Sequence, residues 1–150
     1  MKNLFHDGVE AGIQERIAKL SPSSSPLWGK MNVAQMLAHC ICPLELAMGE
    51  ATAAPSGFFK KLLGRLIKGV VVSPKPYKHD LPTDPTFVTV TDSFEFQTQK
   101  DKLLSTIARF IQKQDTVADF KHPFFGKLTK DEWGMSQYKH LDHHLNQFGV

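Results

Sequence analysis

The stretch "LTKDEWGMSQYKHLDHHLNQFG" at residues 128–149 decides the fold, because it carries the start, the period and the end of one long helix. Thr129 and Glu132 have the spacing of a capping box, in which side chains and backbone amides bond reciprocally. Apolar residues then recur with helical spacing. Glycine commonly follows a helix end, so we predict a helix that runs to about Phe148 with Gly149 beyond it.

Three earlier segments also show apolar residues at helical spacing. The first covers about residues 3–20 and is followed by "SPSSSP", whose prolines cannot continue a helix. The second begins at Asn32, which has the form of a capping box with Gln35. The third opens with Asp92 as the cap and Glu95 as its partner. The chain therefore carries four helices and little strand pattern, which predicts a helical bundle.

The connection between the second and third helices, at about residues 50–91, is too long and too rich in proline for a simple turn. It must cross over the bundle, so the two middle helices are not expected to be simple antiparallel neighbours. "FVTVT" at 87–91 is the one strand-like patch. We predict an all-α fold: one domain over residues 1–150, a four-helix bundle with a long crossover that contains a short extra helix.

The stretch 57–70 within this crossover has apolar residues on one side of a helix and lysine or arginine on the other. A helix on a membrane surface has this pattern. A short helix packed across a bundle, with its basic residues in water, has it as well. We favour packing or a homodimer interface, with Gly64 in the middle as a weak point for an independent helix.

Composition narrows the class of protein. The chain has 150 residues, 41% of them hydrophobic and 22% charged, as in a globular domain. A net charge of +3 is too mild to indicate a nucleic-acid partner. No apolar run reaches the roughly 18 residues of a membrane span, and the N-terminus turns charged too early for a signal peptide. We expect a cytoplasmic protein in which Cys40 and Cys42, pointing apart on a helix, stay reduced.

Two of the three histidines near the C-terminus share a face of the last helix. His140 and His144 lie one turn apart on the apolar side, whereas His143 falls on the polar side with Lys139. Histidines at i and i+4 are a recurrent metal-ligand spacing, although a hydrogen-bonded core histidine is an equally good explanation. Leu141 stands where the zincin motif needs glutamate, so no general base accompanies the pair.

His39 is the best candidate for a third ligand, because it borders the apolar arc of the second helix. Pro43 cannot donate an amide to the carbonyl of His39, so this turn should bend or open. Such a weakened turn is typical of a site, but a proline tolerated for helix shape explains it equally. Cys40 is either a neighbour of the metal or an inert core thiol.

Other side chains have two interpretations each. His122 in "HPFFG" either reaches the site from its loop or belongs to a turn set by the proline and glycine beside it. Gln137 could bond to a ligating histidine, although a core glutamine bonded to backbone is the simpler reading. Trp28 and Trp133 are expected to be core aromatics rather than surfaces on which a substrate stacks.

Three segments in order, "WGKMNVAQMLAHC" at 28–40, "HPFFGKLTKDEW" at 122–133 and "YKHLDHHLNQFG" at 138–149, resemble the DinB-like, or YfiT-like, superfamily of metalloenzymes. The resemblance spans essentially the whole chain and is to the subgroup catalogued as a bacterial domain of unknown function. It implies a four-helix bundle with a long crossover and a divalent metal held by three histidines. Carried over by position, these are His39, His140 and His144; His143, directly before the last of them, is not a ligand.

The resemblance also suggests a chemistry. Characterised relatives include transferases and isomerases that use low-molecular-weight thiols such as bacillithiol or mycothiol. Three protein ligands leave a position open to water or substrate, which is the catalytic pattern for zinc. Among the metals that suit imidazole we expect zinc or nickel, in a thiol-dependent transferase or a hydrolase. The alternative is a non-catalytic metal-binding or stress-response interaction protein that dimerises through its helix faces.

Overall fold

The computed structural model describes residues 2–51, 64, 68–79 and 94–150, and these residues are mostly helical. Its long helices are α1 (Val9–Ala18), α2 (Val33–Ala47), α3 (Phe96–Gln112) and α4 (Lys130–Gln147). Two short antiparallel strands, β1 (Lys121–His122) and β2 (Gly126–Lys127), follow a 3-10 turn at Val117–Asp119. Residues 64 and 68–71 are helical too, in the crossover where a short extra helix is predicted. Most of the stretch 57–70 and all of "FVTVT" lie outside the described residues.

Two of the three predicted pairs of cap and partner are confirmed as capping boxes. The Asn32 side chain accepts a hydrogen bond of 2.8 Å from the Gln35 amide, and the Gln35 side chain accepts one of 2.9 Å in return. At the start of α4, the Thr129 hydroxyl accepts from the Glu132 amide and the Glu132 carboxylate accepts from the Thr129 amide. Gly149 has a φ of 71°, the left-handed conformation that ends a helix. Local sequence thus defines the helices that carry the histidines.

Two predicted helix starts are wrong. The first helix begins at Val9 rather than near Asn3, because Gly8 is left-handed with a φ of 76°. The Asn3 side chain instead accepts a hydrogen bond from the Phe5 amide, in a turn that precedes the helix. The third helix is capped by Glu95 itself, whose carboxylate accepts from two amides of the first turn. The predicted cap, Asp92, lies outside the described residues.

Helices α2 and α3 run in the same direction. Glu45, near the end of α2, pairs with Lys102 at 3.0 Å. Glu50, just beyond that end, pairs with Arg109 at 3.1 Å and Lys113 at 2.7 Å, further along α3. Two parallel neighbours need a connection long enough to return the chain to the starting end. The prediction that the middle helices are not antiparallel neighbours is therefore confirmed.

Helices α1 and α4 also run in the same direction. The Leu4 amide, before α1, donates to the carbonyl of Gly134 near the start of α4. Arg16, near the end of α1, donates to the Asp142 carboxylate at 2.6 Å and to the carbonyl of Val150 at 2.8 Å. The terminal helices thus lie side by side, and α4 is held along its length.

The core forms where α2 meets the other helices. Helix α2 buries eleven of its fifteen residues, so it has little polar surface and lies in the interior. It continues through Pro43 to Ala47, so the proline does not break the helix at the turn of His39. Trp133 is in the core as expected. Within the described residues, no helix has the length and apolarity to cross a membrane.

Candidate metal centre

The structure brings His39 of α2 together with His140 and His144 of α4. The ring centroid of His39 lies 4.9 Å from that of His140 and 4.7 Å from that of His144. The two rings on α4 are 4.7 Å apart. One nitrogen can be chosen from each ring so that all three lie within 4.8 Å of one another. The three predicted ligands therefore converge on one point.

These separations fit a shared divalent ion. Zinc binds imidazole nitrogen at about 2.0–2.1 Å, so two nitrogens on a tetrahedral ion lie about 3.3 Å apart. The Nε2 atoms of His39 and His140 are 3.0 Å apart. The three nitrogens, all within 4.8 Å of one another, are thus close to the spacing that one ion requires. Because imidazole is a common ligand of zinc, nickel, copper and iron, the donor set allows a metal without selecting one.

Burial keeps the rings of His140 and His144 neutral, which is the form that binds metals. His39 is only 4% exposed and His144 only 7%. Burial, followed by the charge of His39, lowers the pKa of His144 to about 3. Burial and the charges of His144 and His39 hold the pKa of His140 well below its usual range. At neutral pH the rings of His140 and His144 are therefore uncharged imidazoles.

The two ring nitrogens of His140 differ in their hydrogen-bond partners. Its Nε2 is hydrogen-bonded to Nε2 of His39, one ring donating and the other accepting, and its Nδ1 is buried with no hydrogen-bond partner among the described residues. A buried polar atom without a partner is costly, and such atoms are few in native proteins. A cation between the rings could take the place of the proton that the two Nε2 atoms share. The residues present thus fit a divalent metal ion.

Gln147, which the sequence analysis did not single out, is bonded to the cluster. Its side-chain oxygen lies 2.8 Å from Nδ1 of His144, and its side-chain nitrogen donates to the carbonyl of Trp28 at 2.7 Å. Gln137 is the glutamine for which the sequence analysis weighs a bond to a ligating histidine. It is buried, and its side-chain oxygen has no partner in the described part of the chain. The signal was available, since Gln147 follows His144 by three residues on the same helix.

His143 lies outside the group, as the face assignment predicts. Its half-buried ring packs edge-on against Trp28 at 5.8 Å and Tyr77 at 5.7 Å. Trp28 is only half-buried, contrary to the expectation of a core aromatic, and stacks on His79 with centroids 3.9 Å apart. These four rings help to line a cleft of about 80 Å³ on the side of α4 adjoining the cluster.

Lys139 is buried, although the sequence pattern places it in water. Its ammonium donates to the carbonyls of Val70 and Ser73 and lies 4.3 Å from the centre of the Tyr77 ring. Residues 68–79 therefore cover this part of α4. The covering chain supplies carbonyl oxygens that replace water around the ammonium, and burial lowers its pKa.

The structure supports the second interpretation of His122, a residue that belongs to a turn. Its Nδ1 accepts hydrogen bonds from the amides of Phe124 at 3.1 Å and Phe125 at 3.2 Å. The ring stacks on Phe125 with centroids 4.1 Å apart, and burial lowers its pKa to about 4. The side chain thus closes the turn between β1 and β2 and does not join the three histidines.

Both cysteines are free thiols. Cys40 belongs to the hydrophobic core, where its sulfur lies 3.7 Å from that of Met36 and burial raises its pKa. Cys42 bonds to the carbonyl of Ala38 at 3.5 Å. Neither joins the group of possible ligands found among the described residues. Cys40 is therefore a packing residue of the core and not a member of the histidine cluster.

Comparison with curated proteins found no match, and comparison with solved structures found none either. The sequence model of one protein family matches residues 2–149, which is nearly the whole chain. All three converging histidines and Gln147 fall within the matched residues. The chain belongs to the family described as "Protein of unknown function (DUF1569)".

Proposed function

We propose that the protein is a divalent-metal-dependent enzyme whose metal ligands are His39, His140 and His144. The observation that carries the proposal is the convergence of three imidazoles from two helices on one point, two of them buried and that of His140 half-buried. Structural zinc sites usually have four protein ligands, whereas catalytic sites have three and keep a position for water or substrate. In the described part of the chain the group has three members, which favours the catalytic type.

The resemblance to the DinB-like superfamily supports the same assignment. Two pairs of helices that run in the same direction, and a long crossover between α2 and α3, are compatible with the four-helix bundle that the resemblance implies. By the same resemblance we propose a bacterial protein of one domain. From the sequence pattern we propose that it is cytoplasmic, and from the imidazole ligands that it uses zinc or nickel. The reaction class is a thiol-dependent transfer or a hydrolysis.

The chain's own residues prepare such a reaction in three ways. Burial keeps the imidazoles of His140 and His144 neutral, so their lone pairs are available at neutral pH. Packing of α2 against α4 buries His39 and His144, and electrostatic interactions are stronger where water is largely excluded. Gln147 holds one ring in orientation. A metal bound there would supply Lewis acidity, which lowers the pKa of a coordinated water or thiol.

Metal analysis tests the ligand assignment first. Protein purified without a histidine tag should contain about one zinc or nickel ion per chain, or take up one ion after treatment with a chelator. A protein that neither contains nor binds a stoichiometric transition metal would refute the proposal.

A spectroscopic titration tests the reaction class. The cobalt-substituted protein should change its visible spectrum when a small thiol is added, because the thiolate enters the open position. Such a protein is then screened for thiol conjugation and for hydrolysis. A metal-bearing protein whose spectrum responds to neither thiols nor anions would instead favour the non-catalytic, metal-binding role.

A further inference from the structure

Gln147 is only 4% exposed, and its backbone and side chain make three hydrogen bonds. Its backbone carbonyl accepts from the amide of Leu27 at 2.7 Å. Its side-chain nitrogen donates to the carbonyl of Trp28 at 2.7 Å, and its side-chain oxygen lies 2.8 Å from Nδ1 of His144. One side chain thus joins the loop before α2 to one of the three converging histidines.

The hydrogen bond between the Gln147 side chain and Trp28 determines which atom of the amide faces His144. The carbonyl of Trp28 can only accept, so the NH₂ end of the Gln147 side chain must face it. The amide oxygen then faces His144, and an oxygen acceptor requires a proton on Nδ1 of that ring. A neutral imidazole protonated at Nδ1 keeps its lone pair on Nε2. The chain of bonds therefore begins at a backbone group with one possible role and ends at the ligating nitrogen.

We propose that Gln147 is a positioning residue of the three-histidine site, which holds His144 as the Nδ1–H tautomer so that its Nε2 is ready for a metal. The inference rests on the proposed metal site and concerns what this chain does before an ion arrives. Partners of this kind fix the orientation of a ligating histidine and raise its basicity. The bond from Gln147 to Trp28 keeps the amide from rotating and presenting its NH₂ group to the ring.

The tautomer of His144 can be measured directly in the metal-free protein. In a long-range proton–nitrogen correlation spectrum, His144 should show a protonated Nδ1 and an unprotonated Nε2 at neutral pH. The opposite tautomer would overturn the proposal. This measurement needs no bound metal, so it separates a failure of the positioning role from a failure of the proposed function, which metal uptake by the unaltered protein decides.

Two substitutions distinguish positioning from mere packing. Gln147→Leu removes the acceptor and should weaken zinc binding by about 10- to 100-fold. Gln147→Glu keeps an acceptor for His144 but loses the donor to the carbonyl of Trp28, so it should restore most of the zinc affinity. Equal loss in the two variants would show that Gln147 serves only the loop, and an unchanged affinity in Gln147→Leu would also refute the proposal.

The matched control is Gln137→Leu, which removes another buried glutamine of α4 that has no hydrogen bond to the three histidines. It should leave zinc affinity unchanged. Urea denaturation of every variant, without metal, shows whether each one folds. Should Gln147→Leu not fold, the tautomer in the unaltered protein and the affinity of Gln147→Glu still test the proposal.

Discussion

Two regions of this molecule bury histidines, and the ring nitrogens have different partners in the two regions. In the turn between β1 and β2, His122 directs Nδ1 at the amides of Phe124 and Phe125, which satisfy it. In the cluster between α2 and α4, ring nitrogens face one another, with Nε2 of His39 and Nε2 of His140 3.0 Å apart. The first arrangement completes a turn, whereas the second gathers imidazole nitrogens from two helices within reach of one cation.

The comparison shows which property marks a site. Burial lowers the pKa of His122 to about 4 and that of His144 to about 3, so a lowered pKa does not separate the two regions. The hydrogen-bond partner separates them, because a backbone amide consumes the lone pair that a metal needs. Convergence of several lone pairs, rather than burial or pKa, is therefore the useful criterion for a metal site among buried histidines.

Removing a converging histidine should have the largest effect. His39→Ala or His144→Ala should each weaken zinc binding by at least about 100-fold, because two imidazoles hold an ion poorly. His143→Ala and His122→Ala should retain the ion, since neither belongs to the group of histidines whose nitrogens could reach one ion. Metal content after dialysis and competition with a chromophoric chelator measure the result. An equal loss of zinc binding in His143→Ala would show that His143 belongs to the metal site.

The converse substitution tests the structural histidine. His122→Ala leaves two amides without their acceptor and should lower the free energy of unfolding by about 2 kcal/mol. His122→Asn should recover much of this loss, because its side-chain oxygen can accept from the same amides. Urea denaturation gives both values. Metal content should be normal in both variants, and a loss of metal would place His122 in the site after all.

The pH dependence of stability should show the smallest effect. The folded state keeps His122 neutral down to about pH 4, whereas the unfolded chain protonates it near its usual pKa of about 6.5. Between these values the unfolded state binds more protons, so stability falls as the pH is lowered. From about pH 7 to about pH 5.5 this histidine should account for about 1 kcal/mol.

His122→Asn serves as the comparison for this effect, because it has no proton to bind at that position. Its stability should fall less steeply than that of the unaltered protein over the same interval. Above about pH 7 the two curves should run parallel. His144 contributes in the same direction in both proteins, so it cancels in the difference. Identical slopes in the two proteins would show that His122 titrates normally.

Features encoded locally were predictable from the sequence. The capping boxes at Asn32 and Thr129 involve residues three apart, and the structure has both. The convergence of His140 and His144 follows from the period of one helix. The position of His39 followed from the apolar arc of α2, together with the family resemblance. These predictions succeed because helix geometry relates neighbours in sequence to neighbours in space.

Features set by tertiary packing were not predictable in this way. Lys139 was placed in water because its helix face is polar, yet residues 68–79 cover it and supply carbonyl oxygens. The two interpretations of His122 could be separated only by its distances to the amides of its own turn. Gly8 adopts a left-handed conformation that ends the predicted extension of α1. In each case the deciding partner is a backbone conformation or a distant segment.

The positions of the three histidines along the chain have a consequence for folding. His39 and His140 are 101 residues apart in sequence, yet their rings meet. No short fragment can assemble this cluster, so it forms only after the crossover has been closed and α2 has docked on α4. An ion held there would act as a removable cross-link around most of the chain, and its release would loosen the two ends of the protein together.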